Sequence, residues 1–163
     1  MHTAHVMIGS NINPVENTRQ AVIRLSEETI LEAFSTTWET KSVGFDGPNF
    51  LNTMVSLKTD LNLESLKKNI LSPIEKNLGR VRTVNKNSPR TIDLDITIFD
   101  GEIVDTALWR RAHIALPAAE LLPNLRHPET GQTLKEIAEI LKTMAYAIPR
   151  DELNFRRNVY AQK

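Results

Sequence analysis

A chain of 163 residues is one ordinary domain, long enough to bury a full hydrophobic core. Its 20 Lys and Arg balance its 20 Asp and Glu, so no global field draws it to nucleic acid or to an anionic membrane, and the lack of cysteine excludes disulfides, thiolate metal sites and cysteine nucleophiles. The start, Met1-His2-Thr3-Ala4-His5-Val6, lacks the basic region and apolar run of a signal peptide, and no apolar stretch reaches membrane-spanning length. A cytoplasmic protein without a membrane partner is expected.

Residues 4–8 form a short apolar run closed by the turn cluster Gly9-Ser10-Asn11, which predicts a first strand. Residues 14–28 carry Ala21, Val22 and Leu25 at helical spacing. The Thr-, Phe- and Trp-containing stretch 29–41 predicts a long second strand, 43–49 a Gly- and Pro-containing loop, and 50–59 a third strand. Asn62 can cap a second helix with Leu63, Leu66, Ile70, Ile74 and Leu78 on one stripe, a kink or break at Pro73, and a stop at Gly79. A polar, basic loop at 80–88 leads into the strand of Asp93 and Asp95, read within the stretch 88–99, and 102–104 suggests a short extra strand. A short helix is expected at 116–122, and Thr133-Leu134-Lys135-Glu136 is a capping box opening a last helix. From 145 to 163 no period is legible, so the expectation is one domain over 1–144 and a C-terminal tail, partly disordered. The order strand–helix–strand–strand–helix–strand is that of an α+β, ferredoxin-like βαββαβ sandwich, with an antiparallel sheet, helices mainly on one face and C-terminal additions.

The most informative stretch is Pro89-Arg90-Thr91-Ile92-Asp93-Leu94-Asp95-Ile96-Thr97-Ile98. Strand alternation puts Ile92, Leu94, Ile96 and Ile98 on one face and Asp93, Asp95 and Thr97 on the other. Two carboxylates on one strand face repel each other unless a cation lies between them, and oxygen donors suit hard cations. Arg80, Arg82, Lys86 and Arg90 crowd the loop just before, and such cations suit the oxygens of a phosphate. Together they suggest a metal–phosphate site, although an Asp-x-Asp pair alone is more often a solvated strand face. Gly9-Ser10-Asn11 could cradle phosphate but reads first as a turn. Phe50 and Asn52 share a strand face, where an aromatic ring and an amide could stack on and read a heterocycle. None of the four histidines pairs at metal-ligand spacing, and no P-loop is present.

These pieces, in this order, resemble the 6-hydroxymethyl-7,8-dihydropterin pyrophosphokinases of folate biosynthesis, through Gly9-Ser10-Asn11, Glu39-Thr40, Phe50-Leu51-Asn52, Glu75, Gly79-Arg80-Val81-Arg82 and Pro89-Arg90-Thr91-Ile92-Asp93-Leu94-Asp95. The resemblance runs from about residue 6 to about residue 142. It implies pyrophosphoryl transfer from ATP to the hydroxymethyl oxygen of the dihydropterin, with release of AMP. Asp93 and Asp95 would bind two Mg²⁺ ions. Arg82 and Arg90 would hold ATP phosphates and join the aspartates as catalytic residues. Glu75, Arg80, Lys86 and Arg111 complete the nucleotide set. Thr40, Val43, Phe50, Asn52 and His113 form the pterin set, with His113 standing where the family has a second stacking Phe. Compared with the family, the stretch from Asp105 to His113 is shortened and Asn87 replaces a Trp. The competing reading is therefore a pterin- or nucleotide-binding homologue with weak or no transferase activity. Small molecules are the expected partners, nucleic acid is not, and oligomeric state is left open.

Overall fold

The computed structural model describes residues 1–42, 44, 46–84 and 88–160, without the Tyr160 side chain. Its centre is β1 (His2–Ser10), antiparallel on one side to β4 (Phe50–Thr59), from His2↔Thr59 to Ser10↔Leu51, and on the other to β5 (Asp93–Phe99). Beyond β5 lies β6 (Glu102–Ile103); beyond β4 lie β2 (Ile30–Phe34) and β3 (Trp38–Thr40), and β3 carries β7 (Ala147–Pro149) on its outer side. Every pairing is antiparallel. The expected long second strand is interrupted: residues 35–37 face only Thr53 and Met54, a bulge in which Met54 N–H donates to Ser35 Oγ instead of to a ladder carbonyl. With β2 and β3 taken as one broken strand, the sheet is the expected ferredoxin-like arrangement.

Helices lie on both faces. On one face α1 (Pro14–Glu28), the helical run 63–77 and α6 (Arg156–Tyr160) bury Val22, Leu25, Leu66, Leu71 and Val159, with Phe155 just before α6, against Val6, Ile8, Leu57 and Leu94. On the other, α4 (Ala112–Leu121) and α5 (Leu134–Met144) bury Leu116, Ala118 and Leu134 against Met7, Trp38 and Met54. The C-terminal additions thus roof part of the second face and leave its β5–β1–β4 end for a site. The capping box forms as expected, with Thr133 and Glu136 bonded reciprocally. Helix α4 starts earlier than its predicted span.

Three local departures have physical causes. The run 63–77 is not broken at Pro73. Instead α2 (Leu63–Leu66) passes through a π turn (Lys67–Leu71) into α3 (Ser72–Asn77), where Ser72 N–H reaches back five residues to the Lys67 carbonyl. The wider turn accommodates the ring and the missing donor of Pro73. In β5, Val6 pairs with Ile96 but His5 pairs with Ile98, so Thr97 is an extra residue. Ile98 therefore leaves the row of Leu94 and Ile96 and packs in the second core, contrary to strict alternation. Finally, the described residues after 145 are built into the fold. β7 extends the sheet, Arg150 N–H donates to the Thr37 carbonyl (2.8 Å), and Phe155 and Val159 are core residues.

Phe155 is 5 % exposed, so Phe155→Ala removes a buried ring, and the cost on unfolding in urea is expected to be about 3 kcal/mol. A loss under about 0.5 kcal/mol would place the tail outside the cooperative fold.

Candidate functional site

Asp93 opens β5 and both its oxygens are taken by arginine: Arg80 Nη1 donates to Oδ1 in a very short contact, and Arg90 Nη1 donates to Oδ2 at 2.9 Å. Arg80 is itself anchored from behind, donating to Glu75 Oε1 at 2.8 Å. The same Glu75 oxygen accepts Leu94 N–H at 2.8 Å, so one carboxylate, 6 % exposed, ties helix α3, Arg80 and the acidic strand together. The turn that makes this possible is the end of α3. Gly79 takes φ +82°, Gly79 N–H donates to the Lys76 carbonyl and Arg80 N–H to that of Glu75, a complete Schellman motif that folds Arg80 back over the residue it pairs with.

These charges surround an open cleft of about 450 Å³ lined by Arg80, Arg82, Arg90, Asp93 and Asp95 with loop residues between them. Asp95, two residues on and facing the same way, reaches solvent. Desolvation, then the Asp93 charge and the hydrogen bond that the protonated carboxyl donates to Asp93, push it up to about 7 against the opposing pull of Arg80. Asp93 is held below the usual carboxylate range: its own desolvation opposes ionisation, and the guanidiniums of Arg80 and Arg90 outweigh it. Among the described residues no third His, Asp or Glu completes a protein-only metal cage. Two carboxylates with the remaining positions left to water or phosphate is the donor set of a substrate-bridging Mg²⁺ site, so the residues fit that ion.

The sheet register aligns the second half of the site. Asp93 and Asn52 both stand opposite Gly9, one on each side of β1. They are therefore two strands apart, about 10 Å, on one face. Gly9 puts no side chain between them, and a Cβ there would come to 3.4 Å from Asn52 Oδ1. Asn52 is 3 % exposed, and its Nδ2 donates to Thr40 Oγ1 at 2.8 Å. Thr40 sits opposite Phe50 across the β3–β4 pair, and the Arg90 guanidinium lies 5.8 Å from the centre of the Phe50 ring. Arg90 thus joins the acidic cluster to the aromatic–amide pair.

The chain matches the model of the family described as 7,8-dihydro-6-hydroxymethylpterin-pyrophosphokinase over residues 5–123. The chain belongs to this family. Relatives include the 2-amino-4-hydroxy-6-hydroxymethyldihydropteridine pyrophosphokinases of Aquifex aeolicus, 34 % identical over 83 % of this chain and 90 % of that protein, and of Bacillus subtilis, 34 % identical over 78 % and 83 %. Among solved structures, wild-type HPPK-DHPS of Plasmodium falciparum with pteroate superimposes with a TM-score of 0.67 at 12 % identity, a likeness of fold covering 96 % of this chain and 45 % of that one. This chain spans less than half the length of that protein.

Within this pyrophosphokinase, the residues singled out from the sequence differ in where they lie. Arg80, Arg90, Asp93 and Asp95 converge on the cleft, and Thr40, Phe50 and Asn52 share the same sheet face beyond Gly9. Arg82 lines the cleft with a 73 % exposed side chain that only grazes Glu75 at 3.4 Å, so Arg80 is the better placed of the two. Glu75 lies behind Arg80 and acts on the cleft through it. His113 lies in the first turn of α4, with its imidazole kept below its ordinary pKa by desolvation and by Arg111, and within electrostatic reach of Asp93 and Arg90. Val43 and Lys86 lie outside the described residues. Residue types alone pointed away from Ser10 and Asn11, which looked like a turn. Ser10 Oγ donates to the Thr91 carbonyl at 2.5 Å and Asn11 N–H to that of Arg90 at 3.2 Å. The signals were their polarity at the end of a buried strand and their place in the family resemblance.

Because Asp95 is harder to ionise in the folded chain than in the unfolded one, its contribution to metal-free stability falls as pH rises from about 4 through about 7. Asp95→Asn removes that fall. Its advantage over the parent is expected to be absent at pH 4 and to level off by pH 8 at about 1 kcal/mol, after discounting for solvent screening, in urea titrations without divalent ions.

Proposed function

We propose that this chain transfers the β,γ-pyrophosphoryl group of ATP to the hydroxymethyl oxygen of 6-hydroxymethyl-7,8-dihydropterin, in a cytoplasmic setting, and releases AMP. The observation that carries the reading is the row Asp93–Gly9–Asn52: a charged half suited to phosphate and a hydrogen-bonding half suited to a heterocycle, facing each other across a residue without a side chain. Membership of the pyrophosphokinase family supplies the reaction class.

In this reading the hydroxymethyl oxygen attacks the β-phosphorus, the bond from that phosphorus to the oxygen bridging to the α-phosphate breaks, and AMP leaves with that oxygen. The hydroxyl proton goes to solvent. Asp93 and Asp95 would hold two Mg²⁺ ions, which when bound neutralise phosphate charge and favour ionisation of the attacking hydroxyl. Arg80 and Arg90, the two guanidiniums already converging on Asp93, are the forked donors placed to take phosphate oxygens, with Arg82 and Arg111 as outer cations. Asn52 keeps Oδ1 for a pterin N–H because its Nδ2 is spent on Thr40. Phe50 offers one stacking face, His113 the other, and Thr40 borders the ring. Such a site works by positioning and charge neutralisation rather than by covalent chemistry.

Incubation with Mg-ATP and the hydroxymethyl-dihydropterin is expected to release AMP in proportion to pterin consumed. The shortened segment between Asp105 and His113 favours the rival reading, a binding homologue without transfer, and ligand binding with no AMP above background would establish it. Asp95→Ala is expected to lower turnover at least about 100-fold while changing pterin affinity less than about threefold. Equal loss of both would remove the metal role. Arg80→Ala should cost more turnover than Arg82→Ala, and the reverse order would refute the assignment drawn from their exposure.

A further inference from the structure

Asn11 follows the last residue of β1, is 3 % exposed, and spends its whole amide on two different segments. Its Oδ1 accepts Arg90 N–H at 2.8 Å, while its own backbone N–H donates to the Arg90 carbonyl at 3.2 Å. Its Nδ2 donates to the Pro48 carbonyl at 3.2 Å, and Ser42 Oγ donates to the same carbonyl at 2.6 Å. The first segment carries Arg90, which pairs with Asp93. The second is the β3–β4 connection, which delivers Phe50 two residues after Pro48. Arg90 and Phe50 then meet face to guanidinium.

We propose that Asn11 is a positioning residue that holds the arginine side and the pterin side of the site in one register, its oxygen serving the first and its nitrogen the second. This rests on the proposed function for the identity of the two sides. Only a carboxamide offers a donor and an acceptor on one carbon. Asp keeps the acceptor and loses the donor, Ala loses both, and Gln is one methylene too long. Each bond is a modest interaction in free energy. Their value is geometric, because Arg90 lies in the loop before β5, outside the ladders that hold β5 and β4 on β1, while Phe50 opens β4 on the far side of β1. A residue that orients both without touching either ligand acts on binding through the second segment and on turnover through the first.

The two amide atoms can be separated by substitution in the full chain. Asn11→Asp should leave the Arg90 amide protected from hydrogen exchange, speed exchange at Gly47 and Asn49 beside the released Pro48 carbonyl, and raise the KM for the dihydropterin about five- to tenfold with the KM for ATP within about twofold. Asn11→Ala should also expose the Arg90 amide and lower kcat. Equal acceleration of exchange at Arg90 and Gly47 in Asn11→Asp, a pterin KM that does not move, or both KM values rising together would overturn the proposal and leave Asn11 as general support for the fold. If the parent chain releases no AMP, the functional reading fails, and the exchange pattern of the two variants still decides whether Asn11 links the segments.

Discussion

Asp93 governs the site because its charge must be balanced before anything else there can be arranged. It lies at the edge of a buried strand with a side chain only 20 % exposed, where an unpaired carboxylate would be costly. Two arginines balance it, and one of them, Arg80, needs Glu75 behind it to hold its direction. That requirement explains the features around it. The Schellman turn at Gly79 brings Arg80 back over α3. The Leu94 N–H satisfies the buried Glu75, and the π turn before Pro73 lets a helix containing proline run on far enough to deliver Glu75. Each is a local solution, and together they leave cations and carboxylates alternating around one cleft.

The neighbour Asp95 shows the opposite balance. Its desolvation and the repulsion of Asp93 outweigh the pull of Arg80, so ionising it is costly in the metal-free chain. A divalent cation would turn that cost into binding energy, which is a common reason for active sites to keep an arrangement the fold alone would not choose. The Asn52 side of the row has no such strain. Asn52 and Thr40 satisfy each other, and Gly9 opens the space between the halves simply by having no side chain.

Much of the fold was legible because it rests on local periodicity. The helix at 14–28, the cap at Asn62, the capping box at Thr133 and the acidic strand need only near neighbours in the chain to be specified. What misled was tertiary override. The bulge at Thr97, where the Thr97 carbonyl accepts Val104 and Asp105 N–H, shifts Ile98 to the other core, and no residue in 92–99 announces it. The segment after 145 has no period because its elements are short, β7 with three residues and α6 with five, and they are held by β3 and by the core rather than by their own pattern.

The residue types of the site, two aspartates at strand spacing beside a set of arginines, with an aromatic and an amide on another strand, were determined by the sequence alone, because chemistry and period are written in it. Which arginine does what was not. Arg80 and Arg82 differ by two positions and are chemically equivalent, and only the turn at Gly79 sends one into the carboxylates and the other into solvent. The alignment of Asp93 with Asn52 across Gly9, and the reach of Asn11 to both Arg90 and Pro48, were likewise decided by tertiary structure. Both depend on antiparallel register and on loops closing across β1, contacts between residues some 40 to 80 positions apart, which no local pattern encodes.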